Sequence, residues 1–169
     1  MDQVVLVNSK DEPLGTMEKL EAHHKGLLHR AFSVLIFNHK GELLIQKRAK
    51  HKYHCGGLWT NTCCSHQRLN EESINAGKRR LQEEMGFTTE LVSIGNFIYR
   101  VAFPNGLIEH ELDHVLIGNY SEDPNPNKEE VEDWRYVSLE TLNQEIKMNP
   151  NDYTYWFKEI MNRFKEKLS

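Results

Sequence analysis

Arg79-Arg80-Leu81-Gln82-Glu83-Glu84-Met85-Gly86-Phe87 is the stretch whose reading decides the fold. It closes an amphipathic run that begins at Asn70 or Ser73 and carries Ile74, Ala76, Leu81 and Met85 as its apolar positions. Gly86 supplies the left-handed stop that helix C-termini favour. The opposite face holds Arg79, Arg80, Glu83 and Glu84. Alone, such a face reads as a solvated helix surface laced by i, i+4 ion pairs such as Arg80 with Glu84. Its neighbours give it another meaning.

Immediately upstream stands Trp59-Thr60-Asn61-Thr62-Cys63-Cys64-Ser65-His66. Cys64, a nucleophile or proton carrier, lies two residues before His66, a metal-ligand candidate, and the segment follows the turn signal Gly56-Gly57. Three cysteines, two of them adjacent, make a poor disulfide framework, so Cys64 is expected to be a free thiol in a reducing compartment. Side-chain alternation points Cys63 away from Cys64, into packing. Just before this segment, Lys47-Arg48-Ala49-Lys50-His51-Lys52 is strongly basic in a chain whose formal net charge is -4. An isolated run of this kind is usually a solvated loop; beside the cysteine segment it reads as a site for a phosphate group, which needs several cations within reach.

Downstream of the helix, residues 90–100 form a strand carrying Tyr99, Pro104-Asn105-Gly106 is a hairpin turn, and residues 107–117 form the returning strand. Alternation sends Glu109, Glu111 and Asp113 to one face and His110, Leu112 and His114 to the other. Carboxylates grouped on one strand face repel one another unless solvent or a cation lies between them. A solvated sheet face is one reading; a third nearby charge and the return into an apolar stretch give a cation site at least equal weight.

Toward the N-terminus, Gln3-Val4-Val5-Leu6-Val7 and Leu14-Gly15-Thr16 are read as a hairpin. Thr16 is expected to cap a short helix that carries Lys19, His23 and His24 and stops at Gly26. Residues 30–37 and 42–48 are strands joined through Asn38-His39-Lys40-Gly41. Toward the C-terminus, residues 121–127 form a polar, proline-broken loop, residues 132–137 a strand, and Ser138 caps a helix ended by Asn149-Pro150. Residues 153–167 are expected to form one final helix whose stripe includes Trp156, Ile160 and Phe164.

At 169 residues the chain is expected to be one domain, 1–169. Its acidic balance argues against nucleic-acid and anionic-membrane binding, which need a basic surface. The N-terminal sequence lacks a basic region followed by an apolar signal core, and no apolar run approaches the roughly 20 residues that span a bilayer. The expected location is the cytoplasm. Candidate metal ligands are His23 or His24, His29, His66, Glu109 and Glu111. Imidazoles combined with carboxylates suit an octahedral divalent ion such as Mn²⁺, Mg²⁺ or Zn²⁺.

From Ser65, a glutamate stands six positions on at Glu71, and Arg79–Phe87 follows. This resembles the Nudix box, in which clustered glutamates hold Mg²⁺ on a diphosphate. Ser65 replaces the box's first glycine, and Arg80 replaces a glutamate, reversing a charge. The resemblance implies an α/β (α+β) fold, a mixed sheet flanked by helices with N- and C-terminal additions, and it counts against a standard Nudix hydrolase. More fully, the chain resembles type 1 isopentenyl diphosphate isomerase, a Nudix member that does not hydrolyse its substrate. That resemblance covers nearly the whole chain. It rests on Gly26-Leu27-Leu28-His29-Arg30-Ala31-Phe32, the Trp59–His66 segment, the altered box, Tyr99-Arg100, Glu109-His110-Glu111 and Trp156.

The resemblance implies reversible isomerisation of isopentenyl diphosphate to dimethylallyl diphosphate by protonation and deprotonation. It implies His23, His29, His66, Glu109 and Glu111 as metal ligands, His23 being preferred to His24 by its interval from Lys19. It implies Glu84 as a partner of Mg²⁺ on the substrate diphosphate, and Lys19, Arg48, Lys52 and Arg80 as diphosphate contacts. Glu111 is expected to be the acid, oriented by Tyr99, with Cys64 as the base on the opposite substrate face and Trp156 facing the cationic carbon. No protein partner is inferred. The chain carries His54-Cys55-Gly56-Gly57 where the resemblance leads one to expect the aromatic-Pro-Gly segment of many relatives. Competing classes are a metal-dependent hydrolase of nucleoside diphosphate derivatives and a noncatalytic metal- or nucleotide-binding module.

Overall fold

The computed structural model describes residues 2–52 and 54–168. In chain order the elements are β1 (Gln3–Val7), β2 (Pro13–Glu18), α1 (Lys19–Lys25), β3 (His29–Phe37), β4 (Leu43–Arg48), β5 (Trp59–Thr60) and β6 (Cys63–Ser65). They continue with α2 (Ser73–Met85), β7 (Leu91–Ala102), β8 (Ile108–Asn119), β9 (Val131–Val137), α3 (Leu139–Met148), α4 (Tyr155–Arg163) and α5 (Lys165–Leu168).

β3 is the hub. Its residues from Ala31 to Ile36 are buried on both faces, the pattern of a strand covered from two sides. Along its whole length it pairs in parallel with β8, from His29 opposite Glu111 to Phe37 opposite Asn119. On its other edge three partners share its length: β1 near its start, β6 in the middle and β4 at its end. β7 and β8 form the long hairpin turned at residues 104–106, and β4 continues the sheet into β9 and β5. Nine strands thus form one mixed sheet among the described residues.

Alternation along β3 and β8 divides the core between the two faces. Phe32, Val34, Ile36 and Leu116 pack with Ala76, Leu81 and Met85 of α2. Leu35 and Val115 pack with Phe97 and Tyr99 of β7 and with Trp156, Phe157 and Ile160 of α4. Burying a side chain of the size of Leu35 or Phe157 stabilises the fold by about 1.5–3 kcal/mol. Cys63 joins the α2 side and Cys64 the α4 side, as alternation requires.

Gly77 shows how tightly α2 sits on the sheet, since a Cβ there would lie 2.9 Å from both Leu116 Cδ1 and Leu91 Cδ1. In an exposed helix Gly→Ala gains about 1 kcal/mol. Overpacking costs about 1–3 kcal/mol, so here it wins. Gly77→Ala is expected to lower stability by about 1–2 kcal/mol in urea unfolding followed by circular dichroism.

Two expected boundaries are corrected. Thr16 does not cap α1; it stays in β2 opposite Val5, because the β1–β2 ladder runs on to Glu18 opposite Gln3. Glu18 is the cap, its carboxylate accepting from the Glu21 amide at 2.8 Å. The final helix is also shorter than the apolar stripe suggested. Tyr153 is extended in a bridge with Trp59, and Thr154 donates its backbone N–H to the Trp59 carbonyl at 3.0 Å. The helix therefore starts at Tyr155, stops after Arg163, and α5 follows as a separate turn. By contrast Ser138 caps α3 as its sequence implies, accepting from the Thr141 amide.

Candidate active site

The α4 side of the sheet presents a row of polar groups in place of a continuous apolar layer. His29 lies opposite Glu111, and Glu111 lies opposite Tyr99, in one rung across three strands. Ser33 lies opposite Cys64 two steps further along β3. α1, stopped by the left-handed Gly26, lowers His23 onto the same rung, and the end of β6 delivers His66. His23 is fully buried while His24 is exposed, which separates the two alternatives.

Three imidazole Nε2 atoms converge on one carboxylate oxygen. His29 and His66 each lie 3.1 Å from Glu111 Oε2, and His23 lies 3.8 Å from it. The donor atoms of these four residues all fall within 4.8 Å of one another, so the group can hold a metal ion. The opposite ring nitrogens of His23 and His29 meet the backbone carbonyls of Lys19 and Leu27 at 2.7 and 2.9 Å. Such carbonyls fix the tautomer of a ligating imidazole and aim its free lone pair at the ion. The chemistry of the donor set therefore fits a divalent cation.

Electrostatics follows from this packing. Burial lowers His23 to about 4, against the opposing pull of the Lys19 carbonyl and Glu111, so His23 is neutral at pH 7. Burial also lowers His66. Burial disfavours charge on His29 as well, but the Glu111 hydrogen bond and charge outweigh it and raise the group. Burial would raise the Glu111 carboxyl; hydrogen bonds from His29 and His66 and their charge hold it well below the usual range. Tyr99 donates its hydroxyl toward Glu109 Oε1 at 2.5 Å and Glu111 Oε1 at 2.8 Å, and burial pushes that hydroxyl well up.

Glu109 stands beside this group. It is buried and on the expected face, but lies outside the four-donor group, with one oxygen accepting from Tyr99 and the other against His54. Glu84, expected beside a diphosphate-bound cation, is buried at the cleft wall. Its Oε2 accepts from Arg80 at 2.9 Å, and its Oε1 accepts from Gln46 at 3.2 Å.

A cavity of about 700 Å³ opens beside these groups and is lined by Lys19, Arg48, Lys52 and Arg80 together with Cys64, His66, Glu84, Glu109, Glu111 and Trp156. The sequence-predicted residues thus reach one cleft, apart from His23, His29 and Tyr99, which are buried behind its wall. The basic run divides. Lys47 and Lys50 pair with Glu132 and His51 with Glu129, leaving Arg48 and Lys52 to face the cavity. Arg48 stands with its guanidinium 5.3 Å from the Trp156 ring centroid and 3.8 Å from Cys64 Sγ. Burial pushes the Cys64 thiol well up, and Arg48 only partly offsets it.

Sequence reasoning assigned no role to Ser33, Glu130 or His54. Ser33 donates its hydroxyl to the buried Asp113 carboxylate at 2.8 Å, and Glu130 pairs with Lys52 at the cleft. A lone serine in an apolar strand and one glutamate in an acidic loop carry no local signal. The signal for His54 was the departure of its segment from the related pattern.

Comparison with known proteins places this geometry. A family model for the NUDIX domain matches residues 27–158. A Deinococcus radiodurans structure aligns with TM-score 0.72 at 17% identity over 87% of this chain and 90% of that one. A MutT protein from Methanosarcina mazei aligns with TM-score 0.68 at 20% identity over 83% and 94%. The chain belongs to the NUDIX domain family. Relatives in sequence are more specific. It is 50% identical over 163 residues to isopentenyl-diphosphate Delta-isomerase 2 of Photorhabdus laumondii, covering 96% of this chain and 92% of that protein. It is 45% identical over 160 residues to isopentenyl-diphosphate Delta-isomerase of Serratia proteamaculans, covering 95% and 89%. Within the NUDIX fold, the chain belongs to the isopentenyl-diphosphate Delta-isomerase family.

Proposed function

We infer that the chain catalyses the reversible isomerisation of isopentenyl diphosphate to dimethylallyl diphosphate. The observation that carries this reading is the placement of Cys64 and of Glu111, which accepts from Tyr99, on one cleft also lined by Lys19, Arg48, Lys52 and Arg80. Near-full-length identity to named isomerases supports it. Lys19, Arg48, Lys52 and Arg80 bind the diphosphate, accompanied by Mg²⁺ near Glu84. His23, His29, His66, Glu111 and Glu109 hold one Mn²⁺, Mg²⁺ or Zn²⁺. Such an ion, when bound, supplies a fixed positive charge that orients the Glu111 carboxyl.

An unactivated alkene is a very weak base, so its protonation needs a positioned acid and a site that tolerates a tertiary carbocation. In the forward direction Glu111, oriented by Tyr99, gives a proton to the terminal methylene carbon. Positive charge then rests on the tertiary carbon, and Trp156 faces it. An aromatic face offers about 1–2 kcal/mol to a desolvated cation. The Trp156 Nε1–H donates to Asn61 Oδ1 at 3.2 Å, which fixes the ring plane. Cys64 removes a proton from the carbon next to the diphosphate-bearing one, and the double bond forms there.

Burial keeps the proton on Cys64, and the imidazoles keep Glu111 ionised. That distribution is the one left by a forward turnover, so each forward cycle requires the proton to be lost from Cys64 and regained at Glu111. The chain works as one domain, takes a small-molecule substrate without nucleic acid or membrane, and acts in the cytoplasm. Among the described residues no helix is long and apolar enough to cross a membrane.

The testing experiment is incubation with isopentenyl diphosphate and Mg²⁺ in D₂O, followed by NMR. Dimethylallyl diphosphate carrying deuterium, with no phosphate release, is the expected product. Phosphate release without isomerisation would turn the reading to a hydrolase.

A further inference from the structure

His54, which precedes the Cys55-Gly56-Gly57 turn, enters the site. It is 9% exposed, its Nε2 lies against Glu109 Oε2, and its ring centroid is 5.8 Å from that of His23 and 6.0 Å from that of Trp156. Four imidazoles therefore gather at the carboxylates, three facing Glu111 and one facing Glu109. Glu109 is held from both sides, with Tyr99 on its other oxygen.

The loop that carries His54 has little freedom to place it elsewhere. A Cβ on Gly56 would lie 3.2 Å from the Ala49 carbonyl oxygen. Gly57, at φ +79, donates its N–H to the Arg48 carbonyl at 2.9 Å. Arg48 in turn donates from Nη2 to the His54 carbonyl at 3.4 Å. The same loop bears Lys52 and follows directly on Arg48, the last residue of β4, both at the cleft.

We propose that His54 is a positioning residue of the metal centre, orienting the Glu109 carboxylate beside the ligating imidazoles and tying it to the loop that carries the diphosphate-binding cations. This rests on the proposed reading of His23, His29, His66, Glu109 and Glu111 as that centre. Carboxylates and imidazoles around an ion depend on such outer partners, whose loss commonly weakens metal binding about 10–100-fold. The histidine side chain is suited to this, since its ring offers an N–H to a carboxylate.

The test is titration of the chelator-stripped full chain with Mn²⁺, followed by electron paramagnetic resonance. His54→Ala is expected to weaken binding about 10–100-fold. His54→Gln retains an N–H donor and is expected to bind within about threefold of the parent. His39→Ala, on an exposed turn, serves as the unchanged control. Parental affinity in His54→Ala would overturn the proposal. So would a His54→Gln variant that loses tenfold or more, because the imidazole would then be a ligand or a packing element rather than a replaceable donor. Should His54→Ala fail to fold, the His54→Gln result alone decides by the same limits. His29→Ala separates the two levels: if it binds Mn²⁺ as the parent does, the metal centre itself is misplaced, whatever His54 does.

Discussion

Cys64→Ala is expected to abolish isomerisation while leaving fold and metal content in place. Proton transfer by a positioned group contributes about 10²–10⁴-fold, and no second thiol reaches the cleft to replace this one. Cys63 is fully buried on the α2 side, and Cys55 does not line the cavity. The Cys64 sulfur lies outside the four-donor group, so its removal takes away no ligand. Truncation to alanine removes one small, half-buried atom, and Ser33 and Arg48 keep their anchors to Asp113 and the His54 carbonyl. The D₂O assay reads turnover, and Mn²⁺ titration reads the centre. Loss of Mn²⁺ binding in this variant would move Cys64 from proton transfer to structure.

Glu111→Gln is expected to have a still larger effect, because two functions meet on that side chain. One oxygen gathers three imidazoles and the other accepts from Tyr99. The amide keeps the shape but removes the charge and the transferable proton. Turnover is expected to fall by about 10⁴-fold or more, combining loss of the acid with loss of electrostatic support. Mn²⁺ affinity should fall at least as far as in His29→Ala, measured by the same titration. Retained affinity with lost turnover would confine Glu111 to proton transfer and leave the three histidines to bind the ion without it.

Much of this arrangement was legible in the sequence because its residues follow simple periods. Period two along residues 107–117 puts Glu109, Glu111 and Asp113 on one face, and β8 presents all three buried on the site side. Period 3.6 and Gly86 define α2. What stayed illegible depends on contacts far apart in the chain. The two-residue strand β5 exists because Lys47 and Tyr153 pair with Trp59. Thr154 ends an apolar stripe early by bonding to the same segment. The basic run around Lys50 could not be divided into surface and cleft residues without knowing where Glu129 and Glu132 fall. His54 likewise meets Glu109 across 54 intervening positions of chain, and no local pattern announces that meeting.

The parallel pairing of β3 with β8 bears on how this chain tolerates evolutionary change. Inserting or deleting one residue in the turn at residues 104–106 alters an exposed loop tip, whereas a one-residue slip of β8 itself would exchange its three cleft-facing carboxylates for His110, Leu112 and His114. A point substitution costs one group at a time; a slip would cost the acid, its neighbour and the Ser33 partner together. Lineages descending from this scaffold are therefore free to change the length of that exposed turn, but insertions and deletions are barred from the central rungs.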